Sequence, residues 1–216
     1  MNRHRCGVLL AVTGVLLAAC TPALRGAEPL DEHKPTGGAG DLVATVKKLP
    51  VRPETDTDTY DRKAFRHWTD ADHDGCDTRA EVLLEEAKLR PGRGADCRLT
   101  GGSWWSYYDH RRITDAGDLD IDHMVPIAEA AKSGASDWTQ DQREAYANDL
   151  DHPHSLVAVT LHSNRSKQDK DPAQWLPPVR AEHCRYAREW AETKKIYRLA
   201  VDRAERAALL KIARNC

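Results

Sequence analysis

Cys76, Cys97, Cys184 and Cys216 constrain this 216-residue chain more than any other feature. They lie downstream of an amino-terminal segment of export type. Arg3 and Arg5 precede a largely apolar stretch, Gly7 to Ala19, too short to cross a bilayer, which takes about 20 residues. Exported chains oxidise their thiols, so an even set of cysteines reads as two disulfides. Four cysteines allow three pairings. Adjacency favours Cys76–Cys97 and Cys184–Cys216, each closing a loop of about 20–30 residues and contributing about 3 kcal/mol through chain entropy.

Residues 1–19 are thus read as a signal peptide that takes Cys6 with it. Leu17-Ala18-Ala19-Cys20 resembles a bacterial lipobox, which makes Cys20 the lipidated first residue and this lipid the only membrane contact. The location is then the outer face of the bacterial cell membrane, or the medium if the lipid is absent. Residues 20–57, rich in Pro, Gly, Thr and acids, read as a flexible tether. Residues 58–216 form the domain.

Within that domain the pattern mixes short strands with helices. TRAEVLLEEAKL (78–89) has helical spacing, LDIDHMV (119–125) alternates as a strand until Pro126, and SLVAVT (155–160) is a second strand. IAEAAKSGA and TQDQREAYANDL read as helices, the second capped by Thr139. A polar helix capped by Ser163 follows the second strand. Residues 179–216 read as a helical hairpin with a break near Val201-Asp202. The net charge of −2 does not mark a nucleic-acid binder. Its distribution is more informative: residues 99–160 hold four Lys and Arg against eleven Asp and Glu, whereas 179–216 hold ten against five. An acidic stretch repels phosphates unless a divalent cation sits there.

The run from Leu119 to Trp175 gathers Asp120, Asp122, His123, Asn148 and Asn164. His123 has an imidazole whose free pKa, about 6.5, suits a general base. Asp122 and Asn164 offer oxygen ligands suited to Mg²⁺ or Mn²⁺. Arg165 and Lys167 are candidate phosphate contacts. Adjacent strand residues point to opposite faces, so Asp122 and His123 converge only where the strand ends.

DIDHMVP (120–126), NDL (148–150) and NRSK (164–167) resemble the HNH endonucleases. SGASDW (133–138), REAYAND (143–149), KDPAQWLP (170–177), DGCDTRAEVL (74–83) and WWSYYD (104–109) are similar to an exported branch of that family, related to the C-terminal domain of GmrSD-type restriction endonucleases. The resemblance implies an α+β fold: a ββα-metal (HNH) core, about 119–175, within a mostly helical, disulfide-stapled domain. It also implies phosphodiester hydrolysis of DNA in preference to RNA, with one metal on Asp122 and Asn164, His123 activating water, and Asn148 clamping the loop that carries His123. Nothing in the chain resembles a base-reading module, so little sequence specificity is expected.

Two further features stand apart. Asp70, Asp72, Asp74 and Gly75, with Glu81 at the twelfth position, fit the spacing of an EF-hand calcium loop. A non-catalytic calcium-binding envelope lipoprotein is therefore the alternative reading. Trp104, Trp105, Tyr107 and Tyr108 read as core or lid residues before base-stacking ones.

Overall fold

The computed structural model describes residues 39–55 and 60–216. The signal peptide, Cys20 and residues 20–38 of the tether lie outside the described residues. The fold is mixed α and β with small sheets. Helix α1 (Ala39–Lys48) is followed by α2 (Thr78–Glu85), then by the paired short strands β1 (Gly92–Arg93) and β2 (Leu99–Thr100). A second antiparallel hairpin joins β3 (Trp104–Ser106) to β4 (Arg111–Ile113). Strand β5 (Leu119–His123) precedes α3 (Ile127–Lys132) and α4 (Gln140–Ala147), and then pairs antiparallel with β6 (Leu156–Thr160). Helix α5 (Leu161–Lys167) follows directly, and α6 (His183–Ile196) and α7 (Arg203–Ala213) close the chain.

Helix α1 corrects the tether expectation over its second half. Leu42, Val46 and Leu49 recur at helical spacing, are all buried, and join Trp190, Leu209 and Ala213 in the main core. The chain after α1 is tied down as well, because Val51 bridges Val201 and Arg52 N donates to the Val201 carbonyl. The glycine-rich stretch at 35–40 masked this pattern, since glycine disfavours a helix only until packing overrides it.

Both disulfides pair as adjacency requires, Cys76 with Cys97 and Cys184 with Cys216. The first fixes the acidic 70–81 loop to the turn before β2. The second fixes the last residue to the start of α6.

The antiparallel β5–β6 pair divides two cores. Leu119 and Ile121, with Leu156 and Ala158, face α2 and Trp104, while Val157 and Val159 on the other face join the main core. The outward amides of β6 are satisfied by side chains: Ala158 N donates to Glu86 and Thr160 N to Ser106. Trp104, Tyr107 and Tyr108 are buried, as core residues should be, and Trp105 is partly exposed.

A buried lysine holds the helical half. The Lys194 ammonium donates to Glu129 Oε1 at 2.8 Å, Glu205 Oε2 at 3.0 Å, Ser133 Oγ at 2.6 Å and the Ala200 carbonyl at 2.9 Å. Burial pushes Glu205 up to about 7, against the pull of Lys194. The unfolded carboxyl titrates near 4.5, so the folded state holds its proton to higher pH and stability falls as pH rises from about 4.5 to 7. Glu205→Gln removes this dependence. The melting temperature of the variant relative to the parent should climb between pH 5 and 7 and then level off, as read by calorimetry across that range.

Candidate functional site

A cleft of about 220 Å³ opens beside β5, lined by Arg62, Ile121, Asp122, His123, Pro126, Ile127, Asn164, Arg165, Gln168 and Asp169. The structure thus brings together Asp122, His123, Asn164 and Arg165, which are scattered over more than forty positions. Strand β5 ends at His123, and this is how residues pointing to opposite faces come to share one opening.

Asp122 is buried and is held from two sides. Tyr108 OH donates to Oδ2 at 2.6 Å, and Lys167 Nζ donates to the same oxygen at 2.5 Å. Burial pushes the Asp122 carboxyl up and the Lys167 ammonium down, and their pairing opposes both shifts. Both bonds fall on Oδ2, and Oδ1 takes neither.

Lys167 is corrected by this geometry. Its side chain is fully buried, with Nζ also donating to the carbonyls of His123 and Met124 at 2.9 Å each, so it cannot reach a substrate phosphate. A lysine in a run as polar as NRSKQDK gives no sequence signal of burial. Arg165 remains exposed at the rim, 3.8 Å from Asp120 Oδ2.

Asn164 sits on α5, which starts one turn earlier than expected: Thr160, not Ser163, is the cap, and its hydroxyl accepts from Ser163 N. The helix ends where Gln168 takes a positive φ of 54°. Asn164 Nδ2 donates to Asp120 Oδ2 at 3.2 Å. Because a carboxylate only accepts, this bond fixes the amide orientation and leaves its carbonyl oxygen available as a ligand.

His123 donates from Nε2 to the Ala147 carbonyl at 3.0 Å. A carbonyl also only accepts, so Nε2 carries the hydrogen and Nδ1 keeps the lone pair. The ring lies 5.8 Å from that of Trp68 and 6.0 Å from that of Tyr146. Burial, opposed by the Ala147 bond and assisted by the charge of Arg62, pushes the imidazole down to about 3. The free-imidazole value expected from sequence does not apply to this buried ring.

Asn148 is a clamp, but on a different segment from the one the resemblance implies. Its Oδ1 accepts from Thr69 N and Thr78 Oγ1, while Nδ2 donates to the carbonyls of Arg66 and Glu144. It therefore ties the end of α4 to the 60–69 segment, whose Trp68 covers His123 at a positive φ of 61°. The loop that carries His123 is fixed instead by Lys167 and by the bond to Ala147.

The calcium-loop residues also converge. Carboxylate oxygens of Asp70, Asp72 and Asp74 lie within 4.8 Å of one another, and Glu81 comes equally close to Asp74. Asp70 Oδ1 is buried with no hydrogen-bond partner among the described residues. Arg93 donates to Asp74 Oδ2 at 2.9 Å, so one carboxylate already has a cation beside it.

The sequence reading missed Tyr108, Arg62, Gln168 and Asp169. Tyr108 lies in the quoted WWSYYD run, but its contact with Asp122 spans 14 positions and leaves no local signal. Gln168 and Asp169 directly follow NRSK, and proximity to that motif was the one available clue.

Fold and cleft together define a disulfide-stapled α+β domain with a polar site where an antiparallel strand pair meets a short helix. The chain belongs to the family described as GmrSD restriction endonucleases, C-terminal domain, which matches residues 57–212. It is similar to an Arthroderma benhamiae protein described as an uncharacterized secreted protein, 38% identical over 207 residues, which are 96% of this chain and 98% of the relative. No solved structure matches the chain.

Replacing Asn148 by Ala removes four hydrogen bonds between α4, the 60–69 segment and Thr78. At about 0.5–1.5 kcal/mol each, the loss is about 2–6 kcal/mol. A denaturant titration should show a lowered midpoint with an unchanged slope, and an unshifted midpoint would show that the clamp contributes nothing to stability.

Proposed function

We propose that this protein is an exported metal-dependent endonuclease of HNH type, with a ββα-metal core formed by β5, β6 and α5. The observation that carries the reading is the convergence of Asp122, a tautomer-fixed His123 and an oxygen-oriented Asn164 on one cleft. Membership in a restriction-endonuclease domain family supports it. The relative described as secreted supports export, and lipidation at Cys20 is part of the same reading.

The donor set fits a hard, hydrated cation. One carboxylate oxygen, Asp122 Oδ1, and one amide oxygen, of Asn164, match Mg²⁺ or Mn²⁺, which keep several waters and take substrate phosphate oxygens. Asn164 in place of a histidine disfavours zinc. When bound, the cation would supply Lewis-acid stabilisation of the charge that builds on the phosphate. The protein's own groups do the rest. His123 Nδ1 takes the proton of the attacking water as its oxygen bonds to phosphorus. The bond from phosphorus to O3′ breaks, its electron pair stays on O3′, and solvent returns a proton there. The products are 5′-phosphate and 3′-hydroxyl ends. Lys167 and Tyr108 hold Asp122, and Asp120 orients Asn164. DNA is favoured over RNA as substrate, with little sequence preference.

Plasmid nicking by disulfide-intact protein with Mg²⁺ or Mn²⁺, abolished by chelator and reduced at least 100-fold in His123→Ala, is the expected result. No cleavage with any metal by folded protein would overturn the reading.

One observation favours the alternative, a calcium-binding envelope lipoprotein: the unsatisfied Asp70 Oδ1 among converging carboxylates. That reading expects millimolar calcium to raise the melting temperature and chelator to lower it, with the response lost in Asp70→Asn. An identical melting curve in calcium and chelator removes it.

A further inference from the structure

Arg62 has no part in the sequence motifs, yet it lines the same cleft as Asp122, His123 and Asn164. It is exposed, and it stands on the wall of the cleft that faces Asn164 and Arg165 only through the chain fold, since more than a hundred positions separate them in sequence. Its own position is built. Asp61 caps the short helical turn Arg62–Ala64 by accepting from Lys63 N, and Phe65 behind it is buried. The same segment is anchored by Asn148 at Arg66 and Thr69. Among the described residues Arg62 forms no ion pair. The cleft's other two cations are both engaged, Lys167 buried against Asp122 and Arg165 beside Asp120.

An exposed guanidinium that lines this cleft, with no acidic partner among the described residues, has the chemistry of an oxyanion ligand. Its planar fork of donors matches two phosphate oxygens at once. We propose that Arg62 is a catalytic residue that binds the non-bridging oxygens of the scissile phosphate and offsets the charge they gain as water attacks. The proposal rests on the nuclease reading. It assigns the clamp residue Asn148 a consequence beyond stability, because the wall it pins carries this arginine. Atoms balance as in the hydrolysis above, and Arg62 neither gains nor loses a proton.

The test compares parent, Arg62→Ala, Arg62→Lys and Arg165→Ala in steady-state cleavage of plasmid DNA with Mn²⁺ or Mg²⁺. Arg62→Ala should lower kcat by about 100-fold or more with a smaller change in KM, as removal of one donor to a developing oxyanion does. Arg62→Lys should recover part of that loss, since a lysine restores charge without the fork. Arg165→Ala should change KM more than kcat, and all three variants should melt with the parent because neither side chain is buried. Cleavage by the parent with Arg62→Ala within threefold of it in kcat overturns this assignment and leaves the nuclease reading intact. A kcat loss that Arg62→Lys does not relieve, accompanied by a lowered melting temperature, also overturns it. Absence of cleavage by the parent overturns the nuclease reading and this assignment together.

Discussion

The ammonium of Lys167 is the contact on which the rest of the cleft depends. It is wholly removed from water, a position that costs several kcal/mol unless charge and hydrogen bonds are returned. Asp122 returns the charge, and the carbonyls of His123 and Met124 return the hydrogen bonds. One side chain at the end of α5 therefore grips three consecutive residues at the end of β5. Asn164 lies three residues earlier on the same helix, so the distance between the two oxygen donors is set by one helical turn. Seven residues are too few for a helix to persist alone. Helix α5 persists because Lys167 fixes its end and Thr160 caps its start, and Asp109 fixes that cap in turn, accepting from both Thr160 Oγ1 and Ser106 Oγ at 2.6 Å.

The helical half uses the same device a second time. Lys194 joins α3, the 197–202 connection and α7 by donating to two carboxylates, a hydroxyl and a carbonyl. In both cases a cation on a polar-looking helix sits at a junction of three chain segments. Apolar contacts are indifferent to small shifts in register. A lysine that must meet three or four oxygens is not, so these contacts fix the relative positions of elements to a degree that the surrounding leucines and alanines cannot.

Sequence pattern disclosed the elements that obey local rules. The β5 and β6 strands, the break between the last two helices and the disulfide pairing follow from alternation, periodicity and adjacency. The grouping of Asp122, His123 and Asn164 follows instead from the resemblance of their motifs to those of the HNH endonucleases. What was not readable has a common cause. Lys167 and Lys194 carry their meaning in contacts 43 or more positions away, to His123, Met124, Asp122 and Glu129, and a lysine in a charged run looks like any solvated lysine. Asn148 was readable as a clamp but not as a clamp on 66–69, since nothing in that segment's composition announces the partner. Helix α1 was hidden by a glycine-rich beginning, although Leu42, Val46 and Leu49 carried the pattern.

Charge shows best how the structure changes the reading. Counted along the chain, the 99–160 stretch is strongly acidic and ill-suited to a phosphate. In the fold its acids near the cleft are matched one by one: Asp122 by Lys167, Asp120 by Arg165 and Asn164, and Asp109 by two hydroxyls. The imidazole of His123 is kept neutral by burial, so it adds no charge of its own. With these groups satisfied, the cleft presents the guanidinium of Arg62, which has no ion-pair partner among the described residues, with Asp169 on the same rim. A net count over sixty residues averages this arrangement away, because a phosphate responds to charges within about a Debye length, roughly 8–10 Å, and not to a sum over the chain. The acids of this region therefore serve to orient helix α5 and its side chains, and the cleft's exposed cation, Arg62, is carried by a segment, 60–69, that lies outside the stretch where the motifs are found.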